Sequence, residues 1–161
     1  MEPRLAVLKA VLDVFGVPAE IGTLSDRKRV QKAIYLAQRT GVDLGYRFGW
    51  YLMGTYSPPL TRDYFALDEA IGSATEGEAT TATLPQAVME KLQAIRPLFD
   101  VPGGVNLRQP DWLEIVASVH YLRRVRELSE EKALEILSEE KHHLVAYIPQ
   151  AEQALRACGL L

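Results

Sequence analysis

Apolar residues return every three or four positions along most of this chain, a period that suits helices and little else. Leu5, Leu8, Leu12 and Phe15 draw one stripe and predict a first helix that ends before Gly16 and Pro18. A second helix follows, with the Ser25 hydroxyl as its cap, Asp26 complementing its dipole, Val30, Ala33, Ile34 and Ala37 as its buried face, and Gly41 as its stop. Ser57 then Pro58 and Pro59 read as a cap with prolines in the first turn, where a missing amide costs nothing; Leu60, Tyr64, Leu67 and Ile71 give that third helix its stripe. Val88, Leu92 and Ile95 predict a helix over about 85–96. Trp112, Ile115, Val116, Val119 and Leu122 predict the longest one, from Pro110 or Asp111 to about Leu128. Ser129, backed by Glu130 and Glu131, caps a helix to about Glu140, and a last helix spans about 148–158 with Gly159 as its stop.

Two stretches break the period. Residues 46–53, YRFGWYLM, are aromatic-rich and interrupted by Gly49, so a short extended strand segment fits better than a helix. Residues 72–83, GSATEGEATTAT, hold no core former and read as a polar surface loop or short linker. The loop would leave two parts, 1–71 and 84–161, of three or four helices each. Pieces of about eighty residues rarely build deep cores alone, so the expected fold is mainly α, one multi-helix domain over 1–161 with two packed subregions.

With 48% hydrophobic and 24% charged residues the chain can bury a core without staples. Cys158 is the one cysteine, which excludes an intrachain disulfide and a CxxC pair. The first residues lack a signal-peptide pattern, and no run reaches the ~18 apolar residues of a membrane span, so a cytoplasmic protein away from membranes is expected. The net charge is −3, with nine basic against seven acidic residues up to position 68 and nine against fourteen beyond it. That N-terminal excess is too small to demand nucleic acid.

No sequence spacing pairs a nucleophile with a base, sets two carboxylates across a site, or gathers metal ligands. His142 and His143 are adjacent and cannot both face one metal from a helix. His120 sits beside an apolar face, where a hydrogen-bonded structural histidine is the expected role. Gly103-Gly104 lacks the lysine or third glycine of a phosphate loop, and Cys158 has only Arg156 nearby to activate a thiolate. The expectation is therefore a protein that is not an enzyme, holds neither metal nor cofactor, and acts by binding.

Two features could do the binding. Tyr35, Tyr46, Phe48, Trp50, Tyr51, Tyr56 and Tyr64 crowd into thirty residues, as a core with paired hydroxyls or as a partner-facing patch. The basic run Arg27-Lys28-Arg29, continued by Lys32 and Arg39, is a solvated helix face or a DNA-facing surface; on a helix only Lys28 and Lys32 share a face.

The stretch RVQKAIYLAQRTGVDLGYRFGWYLMGTYSPPLTRDYFAL carries a recognisable pattern: a helix reading LQK-x-x-Y-L-x-Q, an aromatic segment F-x-x-Y-x-x-G-P-Y-S, and a helix opening on L-T. It resembles the YwgA-like uncharacterised bacterial proteins and, more distantly, the SocA-like Panacea antitoxin domains and the C-terminal domain of the DarG antitoxin. The matching residues are Gln31, Lys32, Tyr35, Leu36, Gln38, Phe48, Tyr51, Gly54, Tyr56, Ser57, Leu60 and Thr61, with Val30 in place of leucine and Thr55 in place of the proline of GPYS. WLEIVASVHYL and the acidic helix after it extend the similarity through most of the chain. The resemblance implies winged-helix-like packing of the N-terminal part and a protein partner that is neutralised or delivered, such as a toxin encoded nearby. It places the binding surface around Lys32, Tyr35, Tyr51, Tyr56 and Ser57. The alternative is a winged-helix-like DNA-binding regulator that uses Lys28, Lys32 and Arg39.

Overall fold

The computed structural model describes residues 1–161 and contains seven α-helices and one two-stranded antiparallel sheet. Helix α1 spans Pro3–Val14 and α2 spans Leu24–Arg39. Strands β1, Gly49–Tyr51, and β2, Gly54–Tyr56, form a hairpin, and α3, Pro58–Gly72, follows at once. The remaining helices are α4 (Gln86–Ile95), α5 (Gln109–His120), α6 (Glu130–Glu140) and α7 (Ile148–Ala157).

Helix α5 is the axis of the molecule, packed against α2 and α7, and every residue from Trp112 to His120 is buried. A helix apolar on most sides can only be stable inside, so WLEIVASVH with its single carboxylate belongs at the centre. Trp112 is fully buried and its indole N–H donates to the Leu98 carbonyl at 2.8 Å, which satisfies the polar edge of a large apolar ring. Phe15 and Phe99 stack at 4.2 Å where α1 meets the turn after α4. One continuous cluster of 36 buried residues runs from Leu5 to Leu155, so both sides of the polar stretch near 72–83 share a core. No helix is long and apolar enough to cross a membrane.

Several boundaries differ from expectation. The cap of α2 is Thr23, whose hydroxyl accepts from the Asp26 amide at 3.1 Å while the Asp26 carboxylate accepts from the Thr23 amide at 3.1 Å. That reciprocal pair satisfies two end amides, and Ser25, lying inside the first turn, offers no equivalent. The longest helix is α2, with 16 residues, because α5 gives way after His120 to a wide π turn over Tyr121–Val125 that stops at Glu127, held at φ 54°. Ser57 and Ser129 cap α3 and α6 as expected, and Gly159 closes α7 at φ 74°. Of the extended segment expected over 46–53, Gly49–Tyr51 forms a strand, the first arm of a hairpin whose second arm returns through Gly54–Tyr56.

Candidate functional site

The hairpin pairs Gly49 with Tyr56, Trp50 with Thr55 and Tyr51 with Gly54, leaving Leu52 and Met53 at its tip. Gly54 is the left-handed residue, at φ 84°, and its bare Cα lies so close to α5 that a Cβ would come within 2.9 Å of the Ser118 hydroxyl. Only glycine meets both demands. The tip side chain Leu52 stands 93% exposed, and Tyr51 beside it is half exposed.

Helix α2 holds this segment by its backbone. Gln31 exchanges two hydrogen bonds with the Ser57 peptide, at 2.9 and 3.1 Å, and Gln38 does the same with Tyr46, at 2.9 and 3.0 Å. Between them the Lys32 ammonium donates to the carbonyls of Met53 (2.6 Å) and Thr55 (2.5 Å). Lys141, from the end of α6, donates to the Leu52 carbonyl at 3.3 Å and lies over the Trp50 ring at 5.6 Å. Trp50 stacks on Tyr121 at 5.6 Å. Two lysines therefore fix three carbonyls around the hairpin tip through charge-assisted bonds, stronger than neutral ones.

Beneath the tip the charges are themselves organised. Glu114 bridges Lys141 (2.5 Å) and Lys28 (2.8 Å), and Lys28 also reaches Asp111 at 2.6 Å. Burial works to raise the Glu114 carboxyl, but hydrogen bonds from Lys141 and Lys28 outweigh it and hold its pKa below the usual range. Burial likewise works against the Lys28 ammonium, and its two carboxylate partners reverse the effect and raise it. Lys32 has no carboxylate in contact. Desolvation, reinforced by Lys141 and Lys28 and opposed by Glu114, lowers its pKa to about 7. The hydroxyls of Thr55 and Ser118 are buried in the same region without a protein partner.

A cleft of about 210 Å³ opens beside the tip, between the start of α2, Met53 and Tyr56 of the hairpin, and Tyr64 and Phe65 of α3. Its lining includes Arg27, Lys28 and Lys32. Tyr51 packs edge-on to Tyr56 with ring centres 5.4 Å apart, joining the hairpin tip to the cleft wall.

The residues singled out from sequence divide into two kinds. Lys32, Tyr35 and Ser57 are buried and position their neighbours. Tyr35 and His120 share a hydrogen bond between the phenol oxygen and Nδ1 at 2.7 Å; burial pushes the phenol pKa up and lowers the imidazole pKa to about 4, so the bond joins a neutral phenol and a neutral imidazole. Tyr51 and Tyr56 reach the surface around the cleft, where the Tyr56 hydroxyl meets that of Thr61 at 2.6 Å. Of the basic residues, Lys28 is engaged by two carboxylates, Lys32 by two carbonyls, and Arg39 lies over the Tyr35 ring at 5.1 Å. Sequence reading missed Glu114 and Lys141, whose partners lie on other elements, although a carboxylate inside an otherwise apolar helix stripe was a visible sign. It also missed Leu24, Leu52 and Phe65, exposed apolar residues of which Leu24 and Phe65 line the cleft and Leu52 stands at the hairpin tip, a placement only the fold reveals.

No family model matches the chain, and no solved structure matches it. A curated relative, a DNA ADP-ribosyl glycohydrolase of Thermus aquaticus, is 30% identical over 139 residues, covering 76% of this chain and 38% of that protein. The chain thus spans about two fifths of the relative's length. That similarity corrects the expectation of a protein that is not an enzyme, since the relative carries an enzyme's name.

Proposed function

We propose that this chain is a cytoplasmic, antitoxin-like module that binds a partner protein through its hairpin tip and the adjoining cleft, in the service of ADP-ribosyl glycohydrolase chemistry on DNA. One observation carries the reading: of the six large hydrophobic side chains the protein leaves exposed, Leu24 and Phe65 line the cleft, and Tyr51 and Leu52 stand on the hairpin whose Met53 and Tyr56 form its wall. Scattered exposed apolar residues are ordinary, whereas a cluster on a rigid support marks an interaction surface. The support is the lysine-held hairpin, which fixes Leu52 before any partner arrives and so lowers the ordering cost of binding. The resemblance of residues 29–68 to antitoxin domains supports a protein partner, and the similarity to a DNA ADP-ribosyl glycohydrolase supports the reaction it serves. The lone cysteine fits a reducing compartment.

The test is co-expression of the tagged chain with the protein products of its neighbouring genes, followed by size-exclusion chromatography. A stoichiometric complex is expected, and Leu52→Asp should dissolve it without moving the melting temperature, because Leu52 packs against nothing. Failure of every neighbour to bind, or a Leu52→Asp complex as tight as that of the wild type, would sink the reading.

A further inference from the structure

The cleft beside the hairpin has a charge character opposite to that of the chain. The protein carries a net charge of −3, yet among the ten residues lining this cleft are Arg27, Lys28 and Lys32 and no aspartate or glutamate. Lys28 is neutralised by Asp111 and Glu114. The other two cations are not. Arg27 spends one N–H on the Ile21 carbonyl at 2.8 Å and forms no ion pair, and Lys32 contacts only neutral carbonyls. An arginine fork with free donors in the lining of an apolar-walled cleft is a receiver for a carboxylate.

Size decides what brings that carboxylate. Sites for whole small molecules run to about 300–1,000 Å³, and this cleft offers about 210 Å³, room for one large side chain. Its walls, Leu24, Met53, Tyr56, Tyr64 and Phe65, are apolar or aromatic. We propose that the cleft receives a bulky apolar side chain of the partner protein, next to an acidic residue or chain-terminal carboxylate that pairs with Arg27. The inference rests on the protein-binding reading above and specifies which partner segment the surface selects.

Three probes of one shape separate the contributions: 3-phenylpropionate, 3-phenylpropan-1-ol and 3-phenylpropylamine, each titrated into the full chain by NMR with the methyl signals of Leu24 and Met53 as reporters. The carboxylate should bind about tenfold more tightly than the alcohol, the ratio that one charge-assisted bond supplies, and the amine should bind least. Arg27→Gln should bring the carboxylate down to the alcohol's affinity and leave the alcohol unchanged, which a merely unfolded variant could not do. Equal binding of all three probes, or no shift of those methyls with the carboxylate, overturns the proposal. So does displacement of the carboxylate by a short DNA duplex at physiological salt, which would assign the cleft to phosphate. Because the titration needs no partner, a null result here with an intact complex above rejects the acidic anchor alone; the converse rejects the module and keeps the cleft's preference.

Discussion

Glu114 is the residue on which the hairpin's support converges. It lies on a buried helix, 4% exposed, with one ammonium on each carboxylate oxygen. Removing one member of a buried ion cluster leaves the rest charged and uncompensated, which costs about 3–5 kcal/mol. Glu114→Gln should therefore lower the unfolding free energy by roughly that amount in urea titrations. A loss under about 1 kcal/mol would mean that water reaches Lys28 and Lys141 and that the cluster is a surface one. A second buried group reports through pH. His120 has a folded pKa of about 4 against an ordinary value of 6.5, so on acidification the unfolded chain takes up its proton first. Its contribution is fully present above pH 6.5 and is lost as the pH falls toward 4, a total of roughly 3 kcal/mol. Lys32, lowered to about 7, contributes in the same direction mainly above that pH, and the depressed Glu114 carboxyl only below its ordinary value of 4.5, so the slope between pH 6.5 and 4.5 is chiefly the histidine's. His120→Gln, which keeps a polar partner for Tyr35, should flatten that slope in unfolding curves measured across the window; an unchanged slope would show that His120 is solvated.

At the level of elements, the periodic stripes placed all seven helices, and the errors fall where local signals compete. Thr23 and Ser25 both precede the apolar face of α2, and the deciding mark was the acidic residue three positions on, Asp26 for Thr23 against Lys28 for Ser25. Thr23→Ala should cost about 1 kcal/mol of stability and Ser25→Ala almost nothing, as thermal melts of the two variants would show. Gln31, Lys32 and Gln38 were legible as a pattern and not as a mechanism, because their partners are backbone atoms of residues 46–57 and a helix pattern does not say what its polar face grips. Lys28 and Lys32 do share a face, as helical geometry requires, but Lys28 on it meets α5 and Lys32 meets the hairpin backbone. The acids that meet Lys28 stand 83 and 86 residues away, a distance no local pattern spans. The hairpin could be placed by its aromatics and its glycines, though its register needed the fold. Gly54→Ala tests that register: a Cβ at φ 84° facing the Ser118 hydroxyl at 2.9 Å combines left-handed strain with overpacking, about 2–4 kcal/mol together. The variant should lose both stability and the partner complex. Ser118→Ala in the same chain should recover part of the loss, since it removes the hydroxyl at 2.9 Å and leaves the strain.

Across the whole molecule the question is whether the parts on either side of the polar stretch near 72–83 fold as one. The core answers structurally, since α2 from the first part packs along α5 from the second and their buried residues form one cluster. The charge network repeats the connection, with Lys28 on one side and Asp111, Glu114 and Lys141 on the other. The hairpin that presents Leu52 belongs to the first part but takes one of its props, Lys141, from the second. Presentation of the surface should thus be lost only when the whole core is lost. The two tryptophans lie one in each part, Trp50 on the hairpin and Trp112 at the centre of α5, so Trp50→Phe and Trp112→Phe each leave a single reporter. In each variant, fluorescence and helical ellipticity should fall at the same urea concentration, as one cooperative unit requires. A Trp50 signal that decays while α-helical ellipticity persists would mean that the hairpin opens by itself, and Leu52 would then be ordered by its partner instead of in advance of it.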